Sequence, residues 1–128
     1  MAVIAAYIEK HYASRIRITD LARHAHVSVR TLQNLFHAHC GEPPLRALRR
    51  YRLRRLYLAI QRRPWAPLRL QLDQCGLAGA IADRDLFLEM FGCTIRELQN
   101  ACRSQSLAQL PAPPAACASL DVVLPRAA

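Results

Sequence analysis

The run Leu21-Ala22-Arg23-His24-Ala25-His26-Val27-Ser28-Val29-Arg30-Thr31-Leu32-Gln33-Asn34-Leu35-Phe36 leaves this chain few ways to fold. A short apolar helical signal closes at His26-Val27, a serine able to cap a new helix follows at once, and the new helix carries polar groups on one face. Helices joined so tightly must cross steeply. A steep crossing that projects the second helix outward is the helix-turn-helix arrangement, which sets side chains into the major groove of DNA. The segment therefore points to nucleic-acid binding.

Charge points the same way. Lys and Arg together number 18 against 9 acidic residues, a formal net charge of +9, and all the basic residues but Lys10 are Arg. Arginine forks onto phosphate and guanine better than lysine does. Residues 1–63, with 13 basic and 3 acidic residues, hold more than the whole excess, because residues 64–103 set Arg69, Arg84, Arg96 and Arg103 against Asp73, Asp83, Asp85, Glu89 and Glu97. Attraction to phosphate and release of counterions are thus expected from the first half.

Other classes find little support. The 128 residues give room for one ordinary domain or two very small ones, and the apolar fraction of 52% argues against wholesale disorder. No apolar run approaches the length of a membrane span, and Met1-Ala2-Val3-Ile4-Ala5-Ala6 lacks a basic leader, so a cytoplasmic protein with no membrane partner is expected. Cys40, Cys75, Cys93, Cys102 and Cys117 form neither a C-x-x-C pair nor an even disulfide count, which predicts reduced, packed thiols. His24-x-His26 and His37-x-His39-Cys40 have side chains two apart on a helix and no completing carboxylate or thiolate pair, so no metal is expected. Paired carboxylates, a Ser-His-Asp order and a glycine-rich phosphate loop are likewise missing, and the chain reads as no enzyme and as needing no cofactor.

Periodicity predicts an all-α protein of about seven helices, with two helix-turn-helix subdomains joined by a long central helix. Val3, Ile4, Tyr7, Ile8 and His11 repeat at helical spacing; Thr19 is expected to cap a second helix to about Ala25, and Ser28 a third to about Cys40. Gly41 then stops the third helix, and Pro44 opens a fourth reaching Ile60, with Leu45, Leu48, Leu53, Leu56 and Ile60 as its apolar stripe. After the Pro64 to Pro67 turn, Leu68 to Cys75 and Ala80 to Phe91 read as helices stopped by Gly76 and Gly92, and Thr94-Ile95-Arg96-Glu97 as a capping box opening the last. The expected divisions are a first subdomain over 1–43, a linker helix over 44–63, a second subdomain over 64–103, and a disordered Ala/Pro-rich tail over 104–128.

Asp20-Leu21-Ala22, Val27-Ser28-Val29-Arg30-Thr31-Leu32, Phe36, Gly41-x-x-Pro44 and Arg52-Leu53 stand in the order and spacing of one family. Across them the chain resembles the DNA-binding domain of the AraC/XylS family of bacterial transcription regulators. The resemblance implies two helix-turn-helix motifs bridged by a long helix, reading adjacent major-groove segments of double-stranded DNA as a monomer or weak dimer, with RNA polymerase subunits as further partners. With Met1 directly ahead of the first helix, neither an effector domain nor a ligand pocket is expected.

If Leu32, Leu35, Phe36 and His39 face the core, then Arg30, Gln33, Asn34 and His37 point away along an i, i+3, i+4, i+7 stripe. Arg can grip O6 and N7 of guanine, and Gln and Asn can pair with N6 and N7 of adenine. Arg30, Gln33 and Asn34 are thus the expected base contacts, positions that the resemblance also assigns to base reading. Thr31, His37, Arg46, Arg49 and Arg50 are the expected phosphate contacts.

The second motif departs from the family. Leu72 stands at the place of a small alanine, Gln71 and Asp83 at apolar core positions, and Ile95 at that of the closing proline. Ile81, Ala82 and Asp85 replace polar or basic groups on the outward face, which leaves Arg84 as the one basic residue of that helix to contact DNA. A carboxylate facing phosphates is repelled, so this motif is expected to add little affinity. The leading reading is a sequence-specific regulator working mainly through the first motif. The alternative is a helical protein-interaction module, or a degenerate family fragment that has lost operator binding.

Overall fold

The computed structural model describes residues 2–104 and is all-helical over them. The expected tail over 104–128 lies, but for Ser104, outside the described residues. Seven helices follow one another: α1 (Ala2–His11), α2 (Ile18–His24), α3 (Val29–Cys40), α4 (Pro44–Arg62), α5 (Leu68–Gln74), α6 (Ile81–Phe91) and α7 (Ile95–Arg103). The chain divides into two compact units within α4, after Tyr51. None of the described helices is long and apolar enough to cross a membrane.

In the first unit α1 packs on α2 and α2 on α3. Its core joins Ile4, Ala5 and Ile8 of α1, Leu21 and Ala22 of α2, Leu32, Phe36 and Cys40 of α3, and Ala47, Leu48 and Tyr51 from the start of α4. Aromatic contacts close its rim: Tyr12 meets Tyr51 edge to face at 5.4 Å, and Tyr7 lies between His11 and His24 at 4.6 and 4.5 Å. His24 is therefore engaged with a tyrosine ring.

Local chemistry sets the ends of these helices. Ser28 caps α3, its Oγ accepting from Thr31 N–H at 3.1 Å, and Gly41 ends the helix in the left-handed region at φ 70°. Pro44 opens α4, where a missing N–H costs nothing. Between α2 and α3 the chain makes a Schellman turn, with Val27 N–H donating to Ala22 O at 3.0 Å and His26 N–H to Arg23 O at 3.2 Å. The left-handed residue of that turn is His26, at φ 57°, the one non-glycine with positive φ among the described residues.

Several sequence expectations need correction. Thr19 does not cap α2: the helix begins at Ile18, with Asp20 reaching back so that its Oδ2 accepts Arg17 N–H at 3.0 Å. A carboxylate at the third helical position satisfies that donor one turn earlier than a threonine cap would. His39 is exposed, and the buried row of α3 is Leu32, Phe36 and Cys40, with Leu35 only half-buried. The row follows i, i+4, i+8, from which position 39 is turned by about 100° relative to 40. Leu45 is 49% exposed because α4 turns Ala47, Leu48 and Tyr51 inward, and Val3 is 56% exposed because α1 buries Ala5 beside Ile4 and Ile8. The central helix ends at Arg62, two residues past the apolar stripe that closes at Ile60 and within the 44–63 expected for the linker.

The second unit repeats the plan. α6 packs on α7, and Leu53, Leu56, Ile60, Leu77, Leu86, Phe87, Met90, Phe91, Ile95 and Leu98 are buried. Tyr57 stacks on Phe91 at 4.5 Å, and Phe91 meets Phe87 at 4.7 Å. After α5 the same Schellman turn recurs, with Leu77 N–H donating to Leu72 O at 2.9 Å and Gly76 N–H to Asp73 O at 3.0 Å, but here glycine holds the left-handed position. Ala80, whose side chain cannot cap, precedes α6; Gly92 ends it at φ 70°. Thr94 and Glu97 form the expected capping box, at 3.1 and 3.3 Å. Arg103 ties the end of α7 to the α4–α5 turn: its Nε donates to Pro64 O at 2.8 Å, and its guanidinium lies 5.0 Å over the ring of Trp65.

The two misfit polar residues of this unit are buried and engaged. Gln71, 2% exposed, donates through Nε2 to Ala59 O and Arg63 O, both at 3.0 Å, and so adds a second donor at the end of α4 to carbonyls that also accept Arg63 N–H at 2.9 Å and Ala66 N–H at 3.2 Å. Its Oε1 stays buried without a hydrogen bond. Asp83 is buried as well and is not without a partner.

Candidate nucleic-acid interface

The amphipathic build of α3 leaves a polar outward face as the candidate site. With Leu32, Phe36 and Cys40 sealed in the core, Arg30, Gln33, Asn34 and His37 all lie exposed on the opposite side. A guanidinium, two carboxamides and an imidazole then stand along two turns of one helix, spaced to reach successive base edges. No acidic residue lies in the first turn of α3, whose amide dipoles favour an approaching anion.

Thr31 sits at the start of the same helix. Ser28 Oγ donates to Thr31 Oγ1 at 2.9 Å, which fixes the rotamer of the threonine and leaves its own hydroxyl hydrogen to point elsewhere. A phosphate oxygen is a fitting acceptor for that hydrogen.

The three arginines of α4 expected at phosphates differ in exposure. Arg49 is exposed. Arg50 is held: its Nε donates to Glu42 Oε2 at 2.9 Å, and its side chain is only 18% exposed. Arg46 lies between these extremes, half-exposed and 3.6 Å from the same carboxylate. Glu42, buried between α3 and α4, thus pins Arg50 and steers Arg46. The i, i+4 and i, i+8 spacing of Glu42 to the two arginines is visible in the sequence, but its burial is not.

The corresponding face of α6 is of another character. Ile81, Ala82, Arg84, Asp85 and Leu88 are exposed there, and Arg84 is its only cation. The thiols of Cys40, Cys75, Cys93 and Cys102 are free and buried. Burial pushes each of them up from the ordinary thiol value, with Glu42 adding to the effect at Cys40 and Arg55 opposing it at Cys75. Thiols so placed are packing groups and poor nucleophiles.

Two compact helical units, each holding a short helix, a Schellman turn and a longer helix with an outward face, define a protein built on paired helix-turn-helix motifs. The sequence matches the helix-turn-helix domain family over residues 21–101, well over half of the chain, and the protein belongs to that AraC-type family. Among solved structures the chain is similar to the DNA-binding domain of AdpA, a global transcriptional factor, in complex with a target DNA. That likeness has 23% identity and a TM-score of 0.66, and covers 80% of this chain and 91% of that one. A protein of unknown function from Listeria innocua is similar too, at 20% identity and a TM-score of 0.66, covering 76% of this chain and 91% of that one. No curated protein matches.

Proposed function

We propose that the protein is a sequence-specific regulator of transcription that binds double-stranded DNA and reads the major groove mainly through α3. The observation that carries this reading is the exposed stripe of Arg30, Gln33, Asn34 and His37 on a helix whose other side is locked into a core. Arg30, Gln33 and Asn34 read base edges. Thr31, His37, Arg46 and Arg49 dock on phosphates, which sets the register without carrying sequence information. Arg50, paired with Glu42, braces the start of α4 and takes the smallest share of phosphate contact. Family membership supports the regulator class, and the charge of residues 1–63 supports the choice of the first unit as the reader.

Mobility shifts on a site selected from random DNA, beside an unselected duplex, test the division of roles. Arg30→Ala should cost about 1–3 kcal/mol on the selected site and relax preference at one base pair, whereas Arg49→Ala should weaken both duplexes alike. Equal losses for both variants on both duplexes would remove the distinction between reader and dock.

A further inference from the structure

α3 and α6 end alike, at Gly41 and Gly92, and counting back from these glycines matches the two helices residue by residue. The reading stripe Arg30, Gln33, Asn34, His37 corresponds to Ile81, Arg84, Asp85, Leu88. These four are exposed, Ile81 at 77% and Leu88 at 47%, and neither Arg84 nor Asp85 has an ion-pair partner among the described residues. The spacing i, i+3, i+4, i+7 makes them one continuous face with apolar ends and a charged middle. The unit spends two large aliphatic side chains on solvent where its counterpart presents hydrogen-bonding groups.

We propose that this face of α6 is a self-association surface that takes α6 of a second copy of the chain in antiparallel orientation. Read backwards, the stripe is Leu88, Asp85, Arg84, Ile81: apolar again at both ends, with its charges inverted. A twofold axis passing between positions 84 and 85 therefore sets Ile81 against the partner's Leu88 and Arg84 against the partner's Asp85, twice over. Such self-complementarity is the requirement of an isologous contact, in which each residue meets on the partner what the partner meets on it. Duplex DNA would meet Asp85 with repulsion and give Ile81 and Leu88 no hydrogen bonds. The four positions span about 10 Å of helix, and one helix pair of that length buries less than the roughly 1,200 Å² of a stable complex, so the association is weak and reversible. The contact stands independently of DNA recognition; joined to it, the twofold axis pairs two copies of α3 and selects a site whose halves are inverted repeats.

Sedimentation equilibrium of the full chain without DNA, from micromolar to low millimolar concentration, tests the contact. Wild type should pass from monomer to dimer. Asp85→Arg and Arg84→Asp should each weaken the dimer roughly tenfold or more, since like charges then face each other twice. The double exchange R84D/D85R restores opposite charges across the axis and should bring association back near wild type. That rescue has no explanation in a merely local role for either residue. Circular dichroism on each variant checks that the helices are intact. A wild-type mass that stays monomeric throughout, or a double exchange no stronger than the single ones, would overturn the proposal. The variant R30A should sediment as wild type does while losing its preferred DNA, which separates a failure of the contact from a failure of base reading.

Discussion

At the scale of single residues, His26 carries the plainest local conflict. A β-carbon in the left-handed region crowds the following carbonyl and costs about 1–2 kcal/mol, and the equivalent turn of the second unit avoids that cost with Gly76. His26→Gly should therefore stabilise the first unit by about 1 kcal/mol, seen as a higher midpoint of urea unfolding. A lower midpoint would mean that the imidazole makes up for the strain in the folded state. Glu42 is the other residue whose importance the sequence conceals. Its spacing to Arg46 and Arg50 is readable, but only the fold shows that the carboxylate is buried and so converts one phosphate-contact candidate into a brace.

At the scale of helices, the ends were largely written in the sequence and the rotations were not. Ser28, Gly41, Pro44, Gly92 and the Thr94–Glu97 pair act where a capping or stop residue should, because these effects need only the backbone beside them. Val3, His39 and Leu45 are exposed where their spacing predicts a place in the core. Each lies at the border of an apolar arc, and a turn of the helix by part of a residue, set by what packs against it, decides which border residue is covered. Gln71 makes the same point with polar atoms: an apparent misfit in an apolar pattern turns out to cap the end of α4. Gln71→Ala should destabilise the protein by about 0.5–1.5 kcal/mol, checked by thermal unfolding, because the amide's bonds to Ala59 O and Arg63 O are lost while both carbonyls keep a backbone donor. A neutral result would show that water replaces the amide there.

At the scale of the whole molecule, the charge is divided unequally between the two halves of the chain. Binding to DNA should weaken steeply with added salt, and removing one phosphate-docking arginine should reduce the slope by about 1 in a titration across salt concentrations. A flat response would favour a protein partner over DNA. Stability has its own dependence on solution conditions. Folding raises the pKa of Cys40, Cys75, Cys93, Cys102 and Tyr57, chiefly through burial, so the folded state holds these protons more tightly than the unfolded chain does. The contribution of the thiols is complete below their ordinary value of 9.0 and that of Tyr57 below 10.0, and each is lost as pH rises from there through the raised value of the folded state. The melting temperature should therefore fall along the alkaline limb, and replacing Cys102 with Ser should flatten that fall. An alkaline limb unchanged by that replacement would assign the loss to other groups.

Sequence alone determined the helical class, the two-motif plan, the family, and the polar stripe on α3, since all of these rest on periodicity, caps and short-range spacing. Tertiary structure decided which border residues enter the core, that Glu42 binds Arg50, that Gln71 serves the end of α4, and that Ile81 and Leu88 stay in solvent beside Arg84 and Asp85. The reason is physical. Caps and periodicity act between residues a few positions apart, whereas burial depends on neighbours that only folding brings together.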